Sequence, residues 1–172
     1  MNNKIFLLPD RLAHYREPVF LELGKLLRKK SKKLYLFFDP NDEIITQIPM
    51  PKLSKLKSLF KTFTVRNIYI GKVVIFQFNV ISKYFSIRPD ILIAWGESQR
   101  ISTLILMLAA FFFRKKVILW THGFYGNERL IKKFWRINFY RFANKILVYG
   151  EYGASLLKKY LPTKEIYVIG NS

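Results

Sequence analysis

The sequence predicts an α/β fold: a single Rossmann-like domain, with a mostly parallel sheet and helices on both faces. Three observations carry that expectation. Short apolar runs alternate with longer amphipathic ones from residue 4 to residue 169, the pattern of strand–helix–strand units. Two runs, I-L-I-A-W at 91–95 and V-I-L-W at 117–120, are apolar without a break, as strands are when both sides of a sheet are covered. Each run ends in a polar or glycine-bearing turn before the next helical stretch, which fits right-handed crossovers to parallel neighbours. A chain of 172 residues suits one such domain, and no linker interrupts residues 1–172.

The elements follow in order. Residues 4–8 (K-I-F-L-L) form a strand that stops at Pro9, and residues 10–18 are a polar loop. Pro18 opens a helix over 19–28, where its missing N–H is not needed; Phe20, Leu23 and Leu27 share one face of it. The basic run 28–33 suits that helix's C-terminal end. Residues 34–38 form the second strand, and the Pro-rich stretch 39–51 is a loop. Residues 52–66 contain no acid and place Leu53, Leu56, Phe60 and Phe63 on one helical face, with Lys52, Lys55, Lys57 and Lys61 off it. Residues 65–70 and 73–76 are strand pieces around Gly71, and 76–85 fits a short helix equally well. After the strand at 91–95 comes an apolar helix over 101–113, which rises about 20 Å, short of the ~30 Å hydrocarbon core of a bilayer. The strand at 117–120 follows, then a helix over 129–142 with Lys132, Lys133, Arg136 and Arg141 on its exposed side. A strand at 145–149, a helix at 152–160 stopped by Pro162, and a last strand at 166–169 complete the chain.

Composition narrows the function. There are 30 Lys and Arg against 11 acids, a net charge of +19, which favours polyanionic partners: nucleic acid, an anionic membrane surface or phosphorylated ligands. Nucleic acid is set aside, because no binding motif is present and the alternation is not organised around a basic groove. The basic amphipathic segment 52–61 and the basic helix after Arg129 are expected to hold the chain on anionic lipid in a salt-dependent way. With no cysteine and two histidines, His14 and His122, no metal site and no cofactor are expected. The first residues lack the apolar core and cleavage site of a signal peptide, so the expected location is the cytoplasm or the inner face of the cell membrane.

Ligands in open α/β sheets bind at the carboxyl ends of the strands. His122, one residue before a glycine that lets backbone approach a ligand, falls at that edge. Gly123 and Glu97, with Arg11 and Arg16 from the first loop, are expected to line the same cleft.

Four stretches extend this reading: R-P-D-I-L-I-A-W-G (88–96), V-I-L-W-T-H-G (117–123), A-N-K-I-L-V-Y-G-E-Y-G (143–153) and I-Y-V-I-G-N-S (166–172). In this order they resemble the N-terminal, acceptor-side domain of family 4-like glycosyltransferases of the two-Rossmann-domain (GT-B) architecture. The resemblance implies a retaining enzyme that moves a sugar from a nucleotide-sugar donor to a saccharide or lipid-linked acceptor, in making a cell-surface polysaccharide or glycolipid, without a metal held by Asp-x-Asp. It implies His122 as the catalytic residue touching the transferred sugar, and Arg11, Arg16, Glu97, Gly123 and Glu151 as substrate-binding residues. Asn171 would lead across to a second domain. That donor-binding domain is absent from the chain, so the chain alone is expected to be inactive. At the first loop, where many members carry a glycine-rich turn, this chain has Pro9-Asp10-Arg11; arginine forks there suit an acceptor phosphate or carboxylate. The competing reading is a non-catalytic basic module that docks on an anionic membrane or a partner chain.

Overall fold

The apolar pentapeptide near the N-terminus sets the frame. In the computed structural model, which describes residues 4–9, 11–42, 47–71, 73–124, 126 and 128–170, it becomes strand β1 (Lys4–Leu8). Strand β2 (Lys33–Phe38) pairs in parallel on one side of it and β6 (Ile91–Trp95) on the other. Alternate side chains of a strand face opposite ways, so Phe6 and Leu8 enter one core layer while Ile5 and Leu7 enter the other. With β3 (Lys61–Thr64), β7 (Lys116–Thr121), β8 (Lys145–Val148) and β9 (Glu165–Val168), the sheet has seven strands in the order β3-β2-β1-β6-β7-β8-β9. All its pairings are parallel. A separate antiparallel hairpin joins β4 (Arg66–Ile70) to β5 (Val73–Phe78).

Helices cover both faces. Helices α1 (Glu17–Lys29) and α2 (Leu53–Lys57) pack one side through Phe20 and Leu56. Helices α3 (Val80–Ile87), α4 (Ile101–Phe112), α5 (Leu130–Arg141) and α6 (Glu151–Tyr160) pack the other through Tyr84, Met107, Tyr140 and Leu157. The unbroken apolar run 91–95 follows from this: Leu92 and Ala94 face the second layer, Ile93 and Trp95 the first. Both strands expected to be central, β6 and β7, are interior and largely buried.

The chain departs from the expected elements in three places. Residues 52–66 are not one helix. Only Leu53–Lys57 is helical; K-T-F-T, alternating and β-branched, pairs with β2 as the edge strand β3, where Phe63 stacks on Phe37 at 5.2 Å. Cross-strand aromatic packing outweighs a helical face that has only Lys on its far side. Between 76 and 85 the strand runs on to Phe78, and α3 starts after Asn79, which turns the chain at φ 64°. Arg136 is not on the exposed side of α5; it is 2% exposed. Asp10 and Asn171 lie outside the described residues. Among the described residues, no helix is long and apolar enough to cross a membrane.

At the amino ends of the central strands, Asp90 ties three of them. It accepts the Lys4 N–H at 3.0 Å and the Lys115 ammonium at 2.9 Å, while its own N–H reaches Lys4 O. The hydrogen bond from Lys115, then that from the Lys4 backbone, hold its carboxyl below the usual range.

From β1 the chain steps outward to β2 and β3, then returns to β6 on the other side of β1. That reversal opens a crevice at the carboxyl ends of β1 and β6.

Candidate functional site

The loop after β1 and the strand end of β6 meet at this crevice. A 3-10 turn at His14–Arg16 carries Arg16 inward, and its guanidinium lies over the Trp95 ring at 4.3 Å from the centroid. Arg16 is 8% exposed, and its Nη1 has no hydrogen-bond partner among the described residues. Tyr15 and Tyr149 rings stand at 5.3 and 6.0 Å from the same cation. A buried guanidinium with an unsatisfied N–H is costly, and face-on contact with indole offsets part of that cost while aiming the fork.

His122 joins the same cluster. Its ring centroid is 4.6 Å from that of Tyr149 and 6.1 Å from that of Trp95. Trp95 and Trp120 are register partners on β6 and β7, so the site's aromatic floor is built by strand pairing. His122 itself is exposed, at the lip of the cluster.

A buried polar chain holds the loop that carries His122. The guanidinium has donors only and Thr121 donates its hydroxyl to Gly96 O, which fixes the directions. Arg136 Nη2 donates to Tyr140 Oη at 3.0 Å, Tyr140 donates to Thr121 Oγ1 at 3.0 Å, and Thr121 donates to Gly96 O at 3.2 Å. Gly123 N–H also donates to Thr121 Oγ1. Arg136 further donates to Gly123 O, and pairs with Glu128 at 2.8 Å with both side chains buried. Burial pushes the Tyr140 hydroxyl above its ordinary pKa, so it stays protonated and able to donate. Gly123 adopts φ 76°, a left-handed conformation that suits glycine. The loop packs so closely on the start of α6 that a Cβ on Gly153 would lie 2.7 Å from His122 O.

The structure therefore brings Arg16 and His122 to one cluster, with Gly123 behind His122. Glu97 lies half-buried on the loop after β6, within electrostatic reach of Arg136 and Tyr140. Arg11 is half-buried in the loop after β1, and Glu151 is exposed in the first turn of α6. Both belong to the same edge of the sheet. Sequence reading missed Trp95, Tyr149, Thr121, Tyr140, Arg136 and Gly153. Trp95 and Tyr149 had a signal, since each ends an apolar run where a strand meets its turn; Arg136 had none, because its helix pattern reads as a charged outer face. Among the described residues, no group of three or more His, Asp and Glu gathers that could hold a metal ion.

No protein-family model matches the chain, and no curated protein matches it. Among solved structures, the UDP-GlcNAc 2-epimerase of Methanocaldococcus jannaschii is similar, with a TM-score of 0.57 at 14% identity. The likeness covers 98% of this chain and 45% of that one, so the chain spans less than half the length of its neighbour. What is shared is the GT-B-like Rossmann fold.

Proposed function

We propose that this chain is the acceptor-side half of a retaining glycosyltransferase, acting on a saccharide or lipid-linked acceptor that bears an anionic group. The observation that carries the reading is Arg16: a buried guanidinium, unpartnered at Nη1, stacked on Trp95 and placed where a switch-point crevice takes its ligand. The sequence motifs that resemble family 4-like enzymes and the sugar-nucleotide enzyme that shares the fold support the substrate class.

The residues would act by placement. Arg16 gives two parallel N–H donors to a phosphate or carboxylate, in a setting where little water competes. Stacking fixes the plane of the fork before the ligand arrives, which lowers the ordering cost of binding. His122, on a loop locked by Arg136 and Tyr140, presents a ring that donates one hydrogen bond and accepts another; it would hold a hydroxyl of the transferred sugar. Stabilising the charge on a departing nucleotide needs positive groups or donors preorganised at that phosphate, and we place those in a second, donor-binding domain. The chain alone would transfer no sugar.

The test is a titration of the 172-residue chain, followed by tryptophan fluorescence, with a saccharide phosphate, the matching neutral saccharide and UDP-GlcNAc. The saccharide phosphate should bind best, and Arg16→Ala should weaken it at least tenfold, as loss of a charge-assisted hydrogen bond does. Tighter binding of UDP-GlcNAc that ignores Arg16 would overturn the acceptor-side assignment.

A further inference from the structure

The outer surface of α5 is unusual for a helix facing water. Leu130 and Ile131 are 82% and 86% exposed and Phe134 is 69% exposed, with Trp135 half exposed beside them. The spacing Ile131, Phe134, Asn138, Phe142 keeps one line along the helix, about 18 Å over its 12 residues. At the far end Phe142 meets Phe111 at 5.9 Å, and Phe111 meets Phe112, itself 77% exposed. Phe113 continues the row to Phe85 at 6.1 Å. Beneath that end, Tyr84, Phe85, Arg88, Pro89, Phe113 and Lys115 line a cavity of about 400 Å³. Interrupted by Asn138, which bonds Arg141, the α5 stripe and the aromatic row make an exposed apolar surface of the kind that monomeric soluble proteins rarely leave bare.

Its border is basic. Arg114, Lys116, Arg129, Lys132 and Arg141 are exposed around it. From residue 98 to residue 150 the sequence has ten Lys and Arg and one acid, Glu128, whose side chain is buried against Arg136. Two carboxylates reach its border, Asp90 beside the cavity and Glu165 beside Phe111 and Phe142, and each is paired with a lysine, Lys115 and Lys145, so positive charge prevails along the patch. A second copy of the chain would bring these cations face to face, and each copy carries +19; like-charge juxtaposition disfavours that pairing. A surface with apolar side chains inside a basic rim matches an anionic bilayer instead: aromatics enter the headgroup–acyl boundary and cations meet lipid phosphates.

We infer that the α5 stripe and the aromatic row at the end of α4 form a monotopic face that seats the protein on an anionic lipid surface. It is a different surface from the basic segment at 52–61, and it does not depend on what the crevice binds. Trp135 reports on it directly, since Trp95 and Trp120 are buried.

The experiment uses the full chain with vesicles of phosphatidylcholine, with and without phosphatidylglycerol, read by co-flotation and by the emission of Trp135. Binding should need phosphatidylglycerol, weaken as salt rises and shift Trp135 emission to the blue. Phe112→Ser and Phe134→Ser should each lower partitioning about tenfold, the scale of one partly buried aromatic side chain. Arg114→Glu with Lys132→Glu, which leaves the apolar groups in place, should abolish the preference for anionic vesicles. Equal binding to neutral vesicles, or full binding by these variants, overturns the inference. So does a lipid-free dimer that the Phe variants dissolve, which would give the surface to a second copy, or capture of an acidic protein with no vesicle binding.

Discussion

Arg136→Met is the sharpest test of how the His122 loop is held. The variant keeps the volume and the apolar stem but removes a guanidinium that bonds Glu128, Gly123 O and Tyr140. Glu128 then keeps a carboxylate that is 4% exposed with its main counter-charge gone. Breaking one partner of a buried pair costs about 3–5 kcal/mol, because the survivor is stranded in low dielectric. For a chain of this size each kcal/mol moves Tm by about 2–4 °C, so Tm should fall by about 10 °C. The double variant Arg136→Met with Glu128→Gln removes both charges and should recover more than half of that loss. The assay is thermal melting by far-UV circular dichroism at pH 7, with both variants and the parent at equal ionic strength. If Arg136→Met melts with the parent, or the double variant melts below it, the ion pair does not hold the loop and the polar chain is read wrongly.

Other outcomes follow from the same geometry. Gly153→Ala should destabilise by about 1–3 kcal/mol, the usual cost of forcing a group into a packed site, because the new Cβ would lie 2.7 Å from His122 O; chemical denaturation measures it. Asp90 titrates below the ordinary carboxylate range because Lys115 and the Lys4 backbone hold its ionised form. Its stabilising effect is present above the unfolded value of about 3.9 and is lost as pH falls through its depressed folded value. Asp90→Asn should therefore flatten the acid limb of the stability curve and leave a smaller stability gap from the parent at the most acidic end. A transfer assay on the purified chain with a panel of nucleotide-sugars should show no turnover; clear turnover would point to a self-contained active site.

Much of the fold was legible because the apolar runs are strong and their chemistry is local. Ile91–Trp95 can be buried on both sides of a sheet and cannot sit at a wet edge, so its place at the centre follows from its residues. Residues 61–64 were misread because K-T-F-T fits either period over four positions, and what decides is the partner: Phe63 finds Phe37 across β2. The site was legible in part. His122 and Arg16 lie in loops that follow strand ends, where the topology gives them an address. Their support was not legible, because a buried Arg136 has the same helical spacing as an exposed one. What distinguishes them is contact outside the helix, with Gly123 thirteen residues away in sequence and with Glu128 eight away.

The crevice loop and the α5 stripe touch: Trp135 on α5 donates its Nε1–H to Ser98 O at 3.1 Å, on the loop that follows β6. On the readings proposed above, an acceptor whose lipid end stays in the bilayer would have to pass the Ser98 loop at the sheet's carboxyl edge to bring its anionic headgroup to Arg16, because Trp95 faces the layer opposite α5. The two contributions are then separable in the free chain and coupled on vesicles. Arg16→Ala should weaken a soluble saccharide phosphate at least tenfold and leave binding to plain anionic vesicles unchanged. Phe112→Ser with Phe134→Ser should do the reverse. For a lipid-linked saccharide phosphate embedded in vesicles, both variants should lose apparent affinity, because the surface-bound protein meets its ligand at a raised effective concentration. Equilibrium flotation with and without the embedded acceptor measures all three cases. If the Phe variants bind the embedded acceptor as well as the parent does, the stripe does not serve the crevice, and the two surfaces have unrelated tasks.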